Sequence, residues 1–131
     1  AVCSDHNPID DDAKLMPFAE AEPGATGLEL LLSLTLKWAQ DAKVPLLDAI
    51  ARVTSSPARV LAASAPSLPV CGQLGVGAPA DVCLVDQGAS WVVERQSLLS
   101  QSAHTPFLGF ELPARVATTI VRGRVAWEQT A

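Results

Sequence analysis

The sequence has 131 residues and a mass of 13.7 kDa, with 9 Lys and Arg against 14 Asp and Glu, for a net charge of −5. Hydrophobic residues make up 49%, charged residues 18%, and mean hydropathy is +0.27, which excludes a disordered chain and predicts one domain's worth of folded core. An isoelectric point near 4.8 without any basic run excludes the electrostatic footprint of a nucleic-acid or anionic-lipid binder.

In chain order, Ala1–Ser4 reads as the end of a buried strand. A short apolar run at an extreme terminus needs neighbours on both sides, so the expectation is a piece of a longer chain. The opening residues lack the basic region of a signal peptide, and a cytoplasmic location is expected. At Asp5 the texture changes to a polar loop, Asp5-His6-Asn7-Pro8-Ile9-Asp10-Asp11-Asp12, which continues to Gly24. Thr26-Gly27-Leu28-Glu29 has capping-box spacing and predicts a helix running to about Gln40. Its apolar stretch, Leu28 to Ala39, is interrupted by Glu29, Ser33 and Lys37 and falls short of the roughly 20 residues a bilayer requires. Pro45 and Pro57 suit first helical turns and Ser56 suits an N-cap, placing helices near 45–53 and 57–63.

After Ala65 the sequence turns to Pro, Gly and short β-rich runs, starting with Pro66-Ser67-Leu68-Pro69, and a boundary is placed there, giving units 1–65 and 66–131. Gly72–Gly77 is expected to be a turn between strands, because a strand and not a helix follows it, which excludes a phosphate loop. Strands are expected at Asp81–Val85, Trp91–Glu94, Val116–Val121 and Arg124–Glu128, the last two joined by a tight Arg122-Gly123 turn. Thr105–Phe110 is a compact aromatic loop suited to cover a small sheet. Cys3, Cys71 and Cys83 form an odd set without CxxC spacing, and are expected to be reduced, buried fillers.

Asp5 is the first candidate for chemistry. A carboxylate where a buried strand runs out would face the mouth of a parallel α/β barrel, able to ligate a metal or act as general base. Asp before Asn-Pro is equally ordinary turn chemistry, and on residues alone both readings stand. His6 has only His104 as a fellow histidine, so a zinc site held by this chain alone is not expected. Ser4-Asp5-His6 cannot form a nucleophilic relay, since adjacent residues of an extended segment point in opposing directions. Asp10, Asp11 and Asp12 lack the alternating spacing of a calcium loop and read as a solvated acidic loop.

A series of motifs spans essentially the whole chain: Ser4-Asp5-His6-Asn7-Pro8, Lys14, Pro17-Phe18, Pro23-Gly24-Ala25-Thr26-Gly27-Leu28-Glu29, Ser56-Pro57-Ala58-Arg59-Val60-Leu61, Gly72–Asp81 and Thr105-Pro106-Phe107. In that order they resemble the C-terminal part of dihydroorotase-type amidohydrolases. The resemblance implies the last strand and helices of a metal-dependent (β/α)8 barrel, an α/β fold, followed by part of a small β-sandwich. It implies hydrolysis of a cyclic amide C–N bond, with dihydroorotate and carbamoyl-aspartate interconverted by a metal-activated hydroxide in pyrimidine biosynthesis. Asp5 would bind zinc and shuttle the proton, and the backbone at Pro23 and Gly24 would lie against the substrate. The remaining ligands would belong to an N-terminal remainder of the barrel, the expected first partner of this piece. The isolated piece is expected to be inactive and to self-associate or pair with that remainder.

One departure opens a second reading. Catalytic members usually read Asp-His-Ala-Pro-His, where the last histidine contacts substrate, whereas this sequence has Ile9 there, and isoleucine donates no hydrogen bond. That points to the non-catalytic dihydroorotase-like branch, whose members are structural partners of aspartate carbamoyltransferase. A free-standing small binding module is the third reading, from a different class.

Overall fold

The computed structural model describes residues 1–65, 67 and 71–129. Four helices come first: α1 (Asp11–Lys14), α2 (Leu31–Asp41), α3 (Leu46–Val53) and α4 (Ser55–Ser64). Three strands follow, β1 (Val82–Val92), β2 (Glu111–Val121) and β3 (Arg124–Glu128), in an antiparallel sheet of order β1-β2-β3. No helix among the described residues is long and apolar enough to cross a membrane.

Helix α2 is entered through a 3-10 turn, Leu28–Leu30, and packs on β2 and α3. The side chains it buries include Ser33, Thr35 and Ala39, small groups that let the helix backbone approach the sheet closely. Ser33 Oγ donates to the Ala114 carbonyl at 3.1 Å, and Trp91 Nε1 donates to the same oxygen at 3.1 Å. Two polar groups are thereby satisfied at the helix–sheet seam rather than stranded there. Leu30 from the helical half joins Val93, Leu98 and Leu112 from the β half in one core cluster, with Leu34, Trp91, Ala103 and Phe107 packed against it.

The hairpin β2–β3 turns at Arg122 (φ +49°) and Gly123 (φ +77°), the positive-φ pair a two-residue hairpin requires, as the sequence predicts. Arg122 N donates to Asp81 Oδ1 at 2.7 Å, tying the turn to the segment that leads into β1.

Several expectations need correction. Ala1–Ser4 forms no strand among the described residues; Val2 N instead donates to the Arg52 carbonyl at the end of α3. The polar loop after Asp5 contains the single turn α1. The helix expected at 57–63 begins at Ser55 with Thr54 as N-cap, so Ser56 lies inside its first turn and accepts from Arg59. The two strand fragments expected at Asp81–Val85 and Trp91–Glu94 are one strand, whose register shifts between Asp86 and Ser90 where Asp86 Oδ1 accepts from Gly88 N. Strand β2 begins five residues earlier than expected and runs through Pro113 and Ala114 (φ +62°). Among the described residues, the Gly72–Gly77 segment does not join two strands but lies between α4 and β1. Gly72 (φ +74°) sits on α4, where an added Cβ would stand 2.8 Å from that of Ala58. Pro66, Leu68 and Pro69, at the expected boundary, lie outside the described residues.

The three cysteines are exposed, not buried. Cys83 is still desolvated enough that burial pushes its thiol above the ordinary value, against the lowering effect of a hydrogen bond with Thr119. Exposure is general: the accessible surface is 9210 Å², against roughly 6,600 Å² expected for a folded monomer of this mass. Much of the excess is apolar, including Phe18 at 99% exposure, Leu15 at 83% and Leu47 at 80%.

Candidate functional site

The segment Ser4–Ile9 is held by cross-links from Pro23–Leu28 and by no strand ladder. Asn7 N donates to the Ala25 carbonyl at 3.0 Å, and Asn7 Nδ2 donates to the Pro23 carbonyl at 3.1 Å. His6 Nδ1 accepts from Gly27 N and Leu28 N, both at 3.2 Å. An imidazole accepting at Nδ1 carries its proton on Nε2, so His6 in this arrangement is a backbone clamp and has no lone pair free for a metal. Asp5 takes φ +47°, a left-handed conformation that a short polar side chain tolerates, and its side chain is exposed.

Two glycines make this contact close. A Cβ at Gly24 (φ +146°) would stand 2.5 Å from Asn7 O and 2.6 Å from Ile9 Cγ1. At Gly27 it would stand 2.6 Å from Ser4 O. The result is an open cavity of about 540 Å³ whose wall includes Asp5, Asn7, Pro23, Gly24, Pro106 and Phe107. The structure therefore brings Asp5, Pro23 and Gly24 together in one wall. It adds Pro106 and Phe107, which the sequence reading took as cover for the sheet; the Thr-Pro-Phe motif was the available signal. Ile9 lies beside Gly24 and offers that flank only hydrocarbon. A second, apolar cavity of about 440 Å³ shares Ser4, Gly27 and Phe107 with the first and is lined further by Leu31, Leu34 and Trp38.

The Thr26-x-x-Glu29 capping box does not form; Gly27 caps the 3-10 turn without a side-chain bond. Both side chains serve a segment 70 to 76 residues away instead. Glu29 accepts from Leu99 N at 2.8 Å and from Ser100 N and Oγ at 2.8 and 2.5 Å. Thr26, 1% exposed, donates through Oγ1 to the Ser102 carbonyl at 2.5 Å, and its N–H donates to the His104 carbonyl at 2.8 Å. Asp11 and Arg95 add an ion pair between the polar loop and the β half, with both side chains more than half exposed.

Chemically, the wall offers one exposed carboxylate, backbone amides and an aromatic face. No three of His, Cys, Asp and Glu converge as a metal-holding group among the described residues. The Asp5 carboxylate oxygen is of a type that zinc accepts as one ligand of several.

A scan against protein-family models found no match. Among curated proteins, the dihydroorotase of Syntrophotalea carbinolica is 40% identical over 126 residues, which cover 96% of this chain and 28% of that protein. The dihydroorotase-like protein of Pseudomonas aeruginosa is 40% identical over 128 residues, 98% of this chain and 29% of that protein. The dihydroorotase of Citrifermentans bemidjiense is 34% identical over 128 residues. The chain thus spans less than a third of the length of these relatives. In fold it is similar to a D-hydantoinase, with a TM-score of 0.75 at 22% identity over 90% of this chain and 25% of the other. It is also similar to the D-hydantoinase (dihydropyrimidinase) of a Thermus species, with a TM-score of 0.72. Along nearly its whole length, at 34–40% identity, the chain thus matches part of these proteins named dihydroorotase or dihydroorotase-like, and it shares the fold of the corresponding part of a D-hydantoinase.

Proposed function

We propose that this chain is the C-terminal portion of a dihydroorotase-like cyclic amide hydrolase that interconverts dihydroorotate and carbamoyl-aspartate. The observation that carries the reading is the gathering of Asp5, Pro23 and Gly24 into one cavity wall by bonds from Asn7 and His6. In this reading residues 1–65 are the last barrel strand, active-site loop and helices, and 66–131 are part of a small β-sandwich. Zinc, bound by Asp5 together with ligands from the N-terminal remainder, supplies Lewis acidity toward the ring amide. Asp5 holds a proton taken from the attacking water and passes it to the departing ring nitrogen. The Pro23-Gly24 backbone, drawn close to Asn7 and Ile9 because Gly24 has no Cβ, forms the part of the wall against which the ring would lie. The excess apolar surface supports docking of the N-terminal remainder, since an independent domain of this mass would hide roughly 2,600 Å² more.

A second reading, favoured by Ile9, is a non-catalytic dihydroorotase-like subunit assembled with aspartate carbamoyltransferase in the cytoplasm. Hydrocarbon beside Gly24 leaves a substrate anion without a donor on that flank. The two readings separate on zinc content and turnover of the full-length protein. One or two zinc ions per chain, with dihydroorotate turnover reduced by about 10² or more in Asp5→Asn, supports the hydrolase. A metal-free, inactive protein that co-purifies with the carbamoyltransferase supports the subunit.

A further inference from the structure

The segment from Leu98 to Thr105 connects β1 to the cavity wall without helix or strand of its own. Its start is anchored by Leu98 in the core. Beyond the wall, Gly109 N donates to the Val93 carbonyl at 2.9 Å. Between these anchors, the inter-segment side-chain bonds on it come from Glu29 and Thr26. Ordering a segment of irregular backbone costs conformational entropy at every residue, so such a stretch holds one position only where bonds of this kind oppose that entropy. The Glu29 carboxylate does so with three donors at one point, two of them consecutive backbone amides, a charge-assisted arrangement. Downstream, Ser102 Oγ accepts from His104 N and Thr105 Oγ1 from Phe107 N, carrying the fixed position from Ser100 towards the wall residues.

We propose that Glu29 is a positioning residue: by clamping Leu99 and Ser100 it sets where Pro106 and Phe107 stand in the wall of the Asp5 cavity. The consequence for substrate rests on the hydrolase reading above, whereas the clamp itself does not. Glu29 does not line the cavity and has no part in proton transfer. Its loss should weaken the fit of substrate more than the rate of the chemical step.

The test uses the full-length protein with Glu29→Ala, Glu29→Gln and Ser100→Ala. Backbone hydrogen exchange is followed at Thr105, Phe107 and Leu108, and kcat and KM are measured for dihydroorotate. In Glu29→Ala, exchange at these amides should accelerate about tenfold or more, and KM should rise about tenfold with kcat held within about threefold. Glu29→Gln keeps one carbonyl acceptor and should fall between, and Ser100→Ala, which removes a single donor, should give the smallest change. If Glu29→Ala fails to fold, the Gln and Ser100 variants decide. Unchanged exchange at Thr105 and Phe107 overturns the clamp. Accelerated exchange with KM unchanged, or with kcat falling alone, overturns the positioning role. A wild-type protein without turnover sinks the hydrolase reading by itself, and exchange alone then decides the clamp.

Discussion

Gly27→Ala isolates the contact that shapes the site. Gly27 has φ −142° and ψ −14°, outside the left-handed region, so the substitution carries no left-handed strain and acts through space. A Cβ there would meet Ser4 O at 2.6 Å, while the next atoms, Ser4 C and Cβ, lie at ordinary distances of 3.6 and 3.8 Å. Ordinary contact begins at 3.4 Å, so the Ser4 carbonyl must retreat by about 0.8 Å. Ser4 immediately precedes Asp5 and His6, and the retreat pulls His6 Nδ1 off Gly27 N and Leu28 N, bonds already at 3.2 Å. Overpacking of this size costs about 1–3 kcal/mol, and the two weakened bonds bring the total to about 2–4 kcal/mol. Two kcal/mol is about thirtyfold in a local opening equilibrium, so exchange at the residue 27 and Leu28 amides of the full-length variant should accelerate by at least that factor. Gly75→Ala is the internal contrast: nothing lies within 4 Å of its added Cβ, and the variant should be neutral or gain up to about 1 kcal/mol. Equal behaviour of the two variants would refute the reasoning.

Thr26→Val keeps the shape but leaves the buried Ser102 carbonyl without its donor, and should cost about 1–3 kcal/mol in denaturant unfolding; Thr26→Ser should recover most of it. Because burial raises the Cys83 thiol, its alkylation by iodoacetamide should follow a pH profile displaced to the alkaline side of that of the same cysteine in the urea-unfolded chain, read by peptide mass spectrometry. The sign for stability follows from proton counts. The Cys83 contribution is complete below the ordinary thiol value of 9.0, and it fades as pH rises through the raised folded value, where the unfolded chain has already released its proton. Arg95→Ala removes an ion pair with both partners over half exposed, so the unfolding midpoint should move by less than about 1 kcal/mol equivalent, and less still in high salt.

Local signals were legible wherever local forces decide. The Arg122-Gly123 turn declares itself through the positive φ it needs, and Pro45 marks the entry of α3. The Thr26-x-x-Glu29 spacing predicts a capping box, and that prediction fails because partners 71 and 76 residues away outcompete the helix terminus for both side chains. No local pattern encodes that choice. Strand β2 starts earlier than the sequence indicates because Pro113 and the positive φ of Ala114 are accommodated where β1 bulges between Asp86 and Ser90. The cysteines were misread because apolar neighbours in sequence were taken for burial, whereas many apolar groups of this chain face outward. The motif series names Asp5, Pro23 and Gly24, and the fold gathers them into one cavity wall; that Phe107 joins them is written in no local pattern, since it reaches the wall from the segment between β1 and β2.

Those long-range bonds also fix when the site can exist. On a growing chain, Asp5 and Gly24 emerge close together and can meet at once, but the residues that complete their cavity follow about 80 positions after Gly24. At about 5–20 residues per second, the ribosome keeps the half-built wall waiting for several seconds or more. Closing so wide a loop costs entropy before any of its bonds form, which makes completion of the wall a late event in folding. Through that interval Leu30 and Leu34 lack the β-half residues they pack against, and the nascent helical half is a natural client for a chaperone that holds apolar surface until the β half arrives.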